Sequence, residues 1–259
     1  MVALIKLGGS IVTFKDRPLA FNAHAVEGVS RALKQVAYDD GGVPMIVVHG
    51  GGSFGHYYSV LYDMHSRPAG YSVEGISRVR CSMVDLNNRI TGIMLEQGLR
   101  PYTIHPSSFI SAGKVTMGSR VDELYSMSMH GLIPVTHGDV MHYGDSLYYI
   151  LSGDEIMSIL AERLVQNVSI ALFTLAVDGV YRDMKGRELI KELRYASDAS
   201  MEDVGMDVTG GMRRKVREGM RIASLGIDVW FVNGLYPERV VDVLRGRDTI
   251  GTVIRGSKG

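Results

Sequence analysis

The sequence predicts an α/β fold with a mostly parallel central sheet. At the N-terminus, the apolar strand Val2–Leu7 is followed by an amphipathic helix and a second apolar strand, Met45–Val48, and this order is typical of a parallel sheet. The run Val168–Phe173, apolar except for Ser169, is typical of a strand buried on both faces of such a sheet. A length of 259 residues accommodates one α/β domain or two small lobes with a full core.

Strand and helix signals alternate through the N-terminal part of the chain. The first strand ends abruptly at Gly8-Gly9-Ser10, and the next helix has apolar residues at helical spacing from Val26 to Val36. The second strand runs into Gly50-Gly51-Gly52, and a helical or irregular stretch continues through Leu61. We then expect, in order, a helix over Tyr71–Gln97, a strand at Pro101–Ile104, a helix over Arg120–His130, a strand at Leu132–Thr136 and a β-hairpin from Val140 to Ile150.

The second part of the chain continues this alternation. Ser152 and Glu155 have the spacing of a capping box, which predicts Gly153 and Asp154 at the N-terminus of a helix. Thr209 is predicted to cap a later helix that carries Lys215 in its first two turns. The charged segment 182–207 lacks periodicity and is predicted to be mostly loop. The remaining predicted elements are a strand at Asp228–Val232, a helix at Pro237–Leu244 and a strand at Thr249–Ile254.

Composition excludes several classes of function. The chain has 28 acidic and 28 basic side chains, so no overall charge attracts nucleic acid or an anionic membrane, and anion binding has to be local. The single cysteine, Cys81, excludes a disulfide framework and indicates a buried or incidental thiol in a reducing compartment. We find no signal-peptide pattern before Val2 and no apolar run near the roughly 20 residues that a membrane span requires. We therefore expect a cytoplasmic protein with neither nucleic-acid nor membrane partners.

Three glycine-rich strand ends, each near a basic side chain, are the main functional signal. They combine Lys6 with Gly8-Gly9-Ser10, Gly50-Gly51-Gly52 with His56, and Gly210-Gly211 with Lys215. Glycine lets backbone amides approach phosphate oxygens closely, and lysines on opposite sides offset the charge that develops during phosphoryl transfer. Lys6 lies in an apolar strand, where an unpaired ammonium is costly, so it either lies on a sheet edge or faces an anion. The pattern indicates a phosphate site.

Other catalytic signatures fit less well. The run Gly50–Gly55 satisfies Gly-x-Gly-x-x-Gly after a strand, but a dinucleotide-binding fold expects an acidic residue at the end of the next strand, and 101–105 contains none. The sequence has no Gly-x-x-x-x-Gly-Lys-Ser/Thr P-loop and no protein-kinase signature. Its eight histidines are scattered without His-Glu-x-x-His spacing, so we predict no protein metal site. The sequence places no histidine and carboxylate beside Ser10 or Ser53, which argues against a hydrolase.

Six motifs together resemble the amino acid kinase superfamily and, within it, the isopentenyl phosphate kinases. The narrower signal is the histidine that ends the glycine-rich loop, since Lys-x-Gly-Gly-Ser is shared with acetylglutamate, uridylate and carbamate kinases. The motifs span essentially the whole chain and comprise Lys6-x-Gly8-Gly9-Ser10, His49-Gly-Gly-Gly-Ser-Phe-Gly-His56, Gly138-Asp139-Val140, Ser152-Gly153-Asp154, Val177-Asp-Gly-Val-Tyr181, and Asp207-Val-Thr-Gly-Gly-Met212 with Lys215.

The resemblance implies a single domain, 1–259, folded as an open αβα sandwich. Residues 1–165 would bind the acceptor and residues 166–259 would bind ATP. The implied reaction is ATP-dependent conversion of isopentenyl phosphate to isopentenyl diphosphate by direct in-line transfer, within isoprene biosynthesis and the mevalonate pathway. ATP would carry Mg²⁺ on its phosphate oxygens with few direct protein ligands, and the protein would be a homodimer. Apart from the resemblance, the predicted hairpin is of a kind that often forms a lid or a subunit contact.

The resemblance also implies roles for individual residues. Lys6 and Lys215 would contact ATP and the transferring phosphoryl group, and Asp154 would orient both lysines. Lys15 would stabilise the transition state from the acceptor side. The acceptor phosphate would be bound by Gly51, Gly153 and His56, and the nucleotide would be framed by Gly8, Gly9, Ser10, Gly52, Asp178 and Gly210. The start of the long helix follows this loop in sequence, and we expect an apolar wall there formed by Tyr71, Ile76, Val79 and Met83.

One departure from the family pattern and two alternatives stay open. Where the family usually has Thr-Asp-Val-Asp-Gly, this chain has Leu175-Ala176-Val177-Asp178-Gly179, which affects the nucleotide side.

A phosphomonoester has a second pKa of about 6, so its attacking oxygen is already ionised near neutral pH and needs no general base. One alternative is a kinase for another small phosphate, phosphonate or carboxylate. The other is a non-catalytic protein that senses ATP. Four residues of catalytic type, which a sensor would not need, argue against this alternative: Lys6, Lys15, Asp154 and Lys215.

Overall fold

The computed structural model describes residues 1–38, 41–111, 114–115, 118–182, 188–194 and 210–256. Twelve strands and eight α-helices are present in these ranges, with a short 3₁₀ turn at Pro106–Ser108. In chain order they are β1 (Val2–Leu7), α1 (Gly9–Val12), α2 (Ala23–Ala37), β2 (Met45–His49), α3 (Gly52–Leu61), α4 (Val73–Glu96), β3 (Pro101–Thr103), β4 (Ile110–Ser111), β5 (Lys114–Val115), α5 (Gly118–Met129), β6 (Ile133–His137), β7 (Asp139–Gly144), β8 (Leu147–Leu151), α6 (Gly153–Arg163), β9 (Val168–Leu175), β10 (Glu192–Arg194), α7 (Gly210–Ala223), β11 (Val229–Asn233), α8 (Pro237–Leu244) and β12 (Thr252–Arg255).

Strand β1 lies near the middle of the main sheet. Within the described ranges, this sheet has eight strands in the order β10-β12-β11-β9-β1-β2-β6-β3. Neighbouring strands are parallel except β11 and β12, which are antiparallel. In the register of β1, Lys6 lies between Val48 of β2 and Phe173 of β9. The predicted mostly parallel sheet is therefore confirmed, and the edge position considered for Lys6 is wrong.

Helices cover both faces of the sheet because successive strand residues point to opposite sides. Val2 and Leu4 of β1 pack in a core covered by α5, α6 and α7. Ala3, Ile5 and Leu7 pack in the opposite core, covered by α2, α4 and α8. The arrangement is an open αβα sandwich, as predicted, and the sheet runs without interruption from the N-terminal strands to β9 and β11.

The longer predicted elements are confirmed with small shifts at their ends. Helix α4 begins after Ser72, whose side chain accepts a hydrogen bond from the Gly75 amide at 3.0 Å. The hairpin β7–β8 turns through Asp145 and Ser146, both with positive φ. Cys81 is exposed, which excludes the buried thiol and leaves the incidental thiol of the two that were expected. The predicted cap Thr209 and most of segment 182–207 lie outside the described residues.

The hairpin is joined to the segment 62–72 by backbone hydrogen bonds. Ala69 and Tyr148 exchange two bonds, at 3.0 and 2.9 Å, and the Ile150 amide donates to the His65 carbonyl at 2.8 Å. This segment and the hairpin therefore form one hydrogen-bonded strap beside the N-terminal end of α4. Among the described residues, no helix has the length and apolar character that would let it cross a bilayer.

Candidate active site

Two glycine-rich loops meet where the parallel strands β1 and β2 end. A Cβ atom placed on Gly9 would lie 2.6 Å from the Gly52 amide nitrogen, and one on Gly8 would lie 2.2 Å from the Thr174 carbonyl oxygen. The Gly50 amide donates to the Leu7 carbonyl at 2.9 Å. Such close backbone approach requires glycine. In open α/β sheets, this carboxyl edge is the usual place for ligand binding.

Thr13 holds the start of α3 against the first loop. Its hydroxyl donates to the Gly9 carbonyl at 2.8 Å and accepts a hydrogen bond from the Ser53 amide, also at 2.8 Å. Gly52, the first residue of α3, has a φ of +48°, and a Cβ atom there would lie 2.0 Å from the Thr13 hydroxyl. Only glycine therefore fits this position without local rearrangement.

The N-terminus of α6 meets the same edge from the other face. A Cβ atom on Gly153 would lie 2.6 Å from Cε of Lys6 and 2.9 Å from the His49 carbonyl oxygen, and one on Gly138 would lie 2.9 Å from the Gly153 nitrogen. The first amides of a helix have no partner within that helix and attract anions. The N-terminus of α6 and the glycine loop before α3 thus both lie close to Lys6, which makes this edge suited to phosphate.

A buried carboxylate lies among three cations at this edge. Asp154, in the first turn of α6, is 2.7 Å from the ammonium of Lys6, 3.2 Å from that of Lys215 and 3.6 Å from Nε of Arg214. The side chains of Lys6 and Asp154 are each only 3% exposed. One negative and three positive charges leave the cluster with an excess of positive charge, which favours a polyanionic ligand.

Burial and ion pairing act in opposite directions on these groups. Burial alone would raise the pKa of Asp154, but the charges of Lys6 and Lys215 outweigh it and hold that pKa well below its usual range. Burial lowers the pKa of Lys6, and the Asp154 carboxylate partly offsets that effect. Asp154 is therefore a carboxylate at neutral pH, with its oxygens already occupied by cationic partners.

His56 and Lys15 are exposed near the glycine loops. His56 lies one helical turn after Gly52 in α3. Lys15 lies in a loop that is closed by the Thr13–Phe21 bridge. This loop is tied to the second glycine loop, since the Ala20 amide donates to the Ser53 hydroxyl at 3.2 Å. Within the described ranges, neither side chain forms an ion pair.

The four residues expected to form an apolar wall occupy different environments. Met83 lies directly under the second glycine loop, since Cβ atoms on Gly51 and Gly55 would lie 3.1 and 3.0 Å from its sulfur. Val79, one turn earlier in α4, is also buried, whereas Ile76 is only partly buried. Tyr71 lies before the helix and lines an open cavity of about 620 Å³ together with eight other residues between 62 and 72. The arrangement brings Met83 to the loop and places Tyr71 at the strap, with Val79 buried one turn before Met83.

Asp178 lies beyond the carboxyl end of β9, on the side expected for the nucleotide. Its carboxylate accepts hydrogen bonds from Arg239 at 2.6 Å and from Asn233 at 3.1 Å, and these bonds lower its pKa. Leu175, one of the two residues that depart from the family pattern, is buried at the end of β9, and Ala176 is exposed. Gly210 begins α7 and is exposed, five residues before Lys215.

Comparisons with known proteins agree with this geometry. Residues 1–233 match the model of the amino acid kinase family. The chain belongs to the amino acid kinase family. It is 32% identical to an isopentenyl phosphate kinase of Thermoplasma acidophilum over 97% of this chain and 99% of that protein. It is 31% identical to one of Haloferax volcanii over 98% of this chain and 99% of that protein.

A solved structure extends the likeness to three dimensions. The crystal structure of a product complex of the T. acidophilum isopentenyl phosphate kinase aligns with a TM-score of 0.80 and 27% identity, covering 98% of this chain and all of that one. The predicted amino acid kinase fold is confirmed by this match.

The structure of this amino acid kinase also brings together polar residues that the sequence analysis did not connect. Arg214 joins Lys6 and Lys215 at Asp154. Its position next to Lys215 in the sequence could have indicated that it belongs to the same cluster. His105 follows β3 and His137 ends β6, so they meet only because these strands are neighbours. Burial lowers the pKa of His137 to about 3. Asp139, whose pKa burial raises to about 7 against the influence of Arg80, completes this cluster.

Proposed function

We propose that this protein transfers the γ-phosphoryl group of ATP to isopentenyl phosphate, forming isopentenyl diphosphate and ADP. The observation that supports it most is the buried carboxylate of Asp154, in the first turn of α6, paired with Lys6 and Lys215 beside the glycine loop that precedes α3. Phosphoryl transfer depends mainly on positioning and on neutralising charge over the moving group. Full-length likeness to isopentenyl phosphate kinases supports the identity of the acceptor.

The reaction needs no protein nucleophile and no general base. An ionised phosphate oxygen of the acceptor attacks the γ-phosphorus, the bond to the bridging oxygen of ADP breaks, and ADP leaves with the electron pair. Asp154 is not a suitable base, because its pKa is below the usual range and its oxygens contact cations. Its role is to orient Lys6 and Lys215, which offset charge on the phosphoryl group. Arg214 supplies a third positive charge on the same carboxylate.

Magnesium would be bound mainly by the phosphate oxygens of ATP and by water. Asp154, the carboxylate beside Lys6 and Lys215, is already paired with three cations in the described part of the chain. This fits an ion that retains its waters and takes few direct protein ligands. Bound there, the ion neutralises part of the triphosphate charge.

Acceptor choice would depend on His56 and on the apolar residues of α4. A ring N–H near the first turn of α3 suits a second anion, held by the amides of Gly51 and Gly153. Lys15, in the loop tied to Ser53, would stabilise the transition state from the acceptor side. Val79 and Met83 would limit the room for the hydrocarbon chain. A carboxylate acceptor would need neither the imidazole nor this wall.

The nucleotide would lie over the other half of the carboxyl edge. Gly8, Gly9, Ser10, Gly52 and Gly210 would frame it, and Asp178, held by Arg239 and Asn233, would bind it near β9. We therefore divide the single domain into an acceptor half, 1–165, and an ATP half, 166–259. We also propose a cytoplasmic homodimer acting in isoprene biosynthesis through the mevalonate pathway. Light scattering on the purified protein tests the dimer.

The test is an ADP-release assay with a panel of acceptors. Isopentenyl phosphate should be turned over faster than dimethylallyl phosphate, uridine monophosphate, acetylglutamate or carbamate. His56→Ala should reduce turnover of isopentenyl phosphate at least tenfold while ATP binding, measured by calorimetry, stays within twofold. His24→Ala, at an exposed histidine of α2, is the matched control. Preference for a carboxylate acceptor, or equal loss of both properties in His56→Ala, would refute the proposal.

A further inference from the structure

A cluster of metal-ligand side chains lies next to the phosphate site but outside it. His105 follows β3, His137 ends β6 and Asp139 begins β7. One ligand atom from each of the three lies within 4.8 Å of the other two. His137 and Asp139 are buried, and His105 is only partly buried, which leaves a route from solvent. None of these side chains has a role in the phosphoryl transfer described above.

The two imidazoles have the spacing of a chelating pair. Nδ1 of His105 lies 3.2 Å from Nε2 of His137. Two nitrogens bound to one tetrahedral zinc at about 2.0–2.1 Å are roughly 3.3 Å apart. The separation of the two nitrogens therefore matches a shared zinc ion, which would take the place of the proton that His105 Nδ1 donates in this hydrogen bond.

The second nitrogen of His137 is already held as in many metal sites. Nδ1 of His137 lies 3.0 Å from the Gly138 carbonyl oxygen. A carbonyl only accepts hydrogen bonds, so Nδ1 carries the proton and Nε2 presents its lone pair to His105. Histidine ligands commonly donate their other N–H to a carbonyl in this way, which fixes the tautomer and the ring orientation.

Arg80 is the group that a metal ion would have to displace. Its guanidinium contacts Oδ2 of Asp139, while Oδ1 accepts a hydrogen bond from the Val140 amide at 2.8 Å. The Arg80 side chain is 33% exposed, so it can turn towards solvent without becoming buried and unpaired. A divalent ion at this position would replace the single positive charge of Arg80 on the Asp139 carboxylate.

We propose that His105, His137 and Asp139 bind a zinc ion, with a water molecule as fourth ligand and Arg80 as competitor for Asp139. Two imidazoles, a carboxylate and water form a donor set that suits zinc. The proposal is independent of the acceptor identity. Because a ligand that binds only the folded state stabilises it, zinc should raise the melting temperature of the protein.

The test is calorimetric titration of chelator-treated protein with Zn²⁺, together with absorption spectra after addition of Co²⁺. We expect one equivalent of Zn²⁺ to bind and Co²⁺ to give the spectrum of a tetrahedral site. His105→Ala should weaken binding at least tenfold, and Arg80→Met should strengthen it because the competitor is gone. His24→Ala should leave the affinity unchanged. Circular dichroism of each variant checks that the fold is retained.

Each remaining outcome overturns the proposal. If the wild-type protein does not bind Zn²⁺, or if His105→Ala binds it equally well, these residues are not the ligands. If Arg80→Met binds Zn²⁺ no more tightly than the wild type, Asp139 is not a ligand and the proposed three-residue site is wrong. If Zn²⁺ binds without raising the melting temperature, it does not bind the folded protein in preference to the unfolded chain, and a site formed by the fold is refuted.

Discussion

Replacing Asp154 by asparagine tests the charge cluster that underlies the proposed function. The ammonium of Lys6 is buried, and the carboxylate 2.7 Å away is its main partner. Removing one member of a buried ion pair costs about 3–5 kcal/mol, because the other charge stays buried and uncompensated. Since 1 kcal/mol shifts the melting temperature of a protein of this size by about 2–4 °C, we expect Asp154→Asn to melt roughly 6–20 °C lower at pH 7.

The same variant has a predictable pH dependence. Without Asp154, nothing in the pair offsets the burial that lowers the pKa of Lys6 from 10.5, so that pKa falls further. At pH values between the Lys6 pKa of the folded variant and that of the folded wild type, Lys6 is neutral in the folded variant. In the unfolded variant, Lys6 is still protonated at these pH values. The stability of the variant therefore rises with pH across this window. The deficit relative to the wild type should shrink as the pH is raised.

Urea and thermal denaturation followed by circular dichroism, from pH 6 to pH 9, provide the measurement. Asp122→Asn is the matched control, since Asp122 pairs with Arg163 at 2.6 Å on the surface with both side chains about half exposed. Loss of an exposed pair costs about 0–1 kcal/mol. If Asp154→Asn is as stable as this control at pH 7, or if its deficit grows with pH, our account of the cluster is wrong.

Three further changes probe other parts of the site. Gly52→Ala should abolish most activity and destabilise the protein, whereas Gly41→Ala, with φ of +76° but open space around it, should cost only about 1 kcal/mol of unfolding free energy. Met83→Ala should raise kcat/KM for prenyl phosphates longer than isopentenyl phosphate, and an unchanged ratio would remove Met83 from the wall. Asp178→Asn should lose stability at pH 7 in urea denaturation. Because Arg239 lowers the Asp178 pKa, the wild-type advantage should disappear as the pH falls below about 4.

The fold was predictable because its strands and helices are long and regular. The apolar run of β9 and the stripe of α2 have clear periods, and both elements lie where expected. Short elements were missed, since α1 has four residues and β4 has two, which is too few for a period to appear. The start of α1 at Gly9 depends on the packing of the loop against Gly52, and the sequence alone does not reveal that contact.

The site was predictable where chemistry is local and was missed where it depends on strand order. The second glycine loop and His56 form one contiguous motif, so a candidate phosphate site could be predicted from residue types. The pairing of Lys6 with Asp154 spans 148 positions and was expected only from the family resemblance. His105 follows β3 and His137 ends β6, and nothing in their local sequences indicates that these two strands are neighbours.

The strap between residues 62–72 and the hairpin has an evolutionary consequence. Its two segments are joined through main-chain atoms, namely those of Ala69 with Tyr148 and of His65 with Ile150. Most substitutions leave main-chain hydrogen bonds in place. Side chains of the strap can therefore change in size or polarity while its backbone hydrogen bonds are retained. Substitutions of exposed side chains in this strap can therefore accumulate one at a time, without first requiring compensating changes in the core.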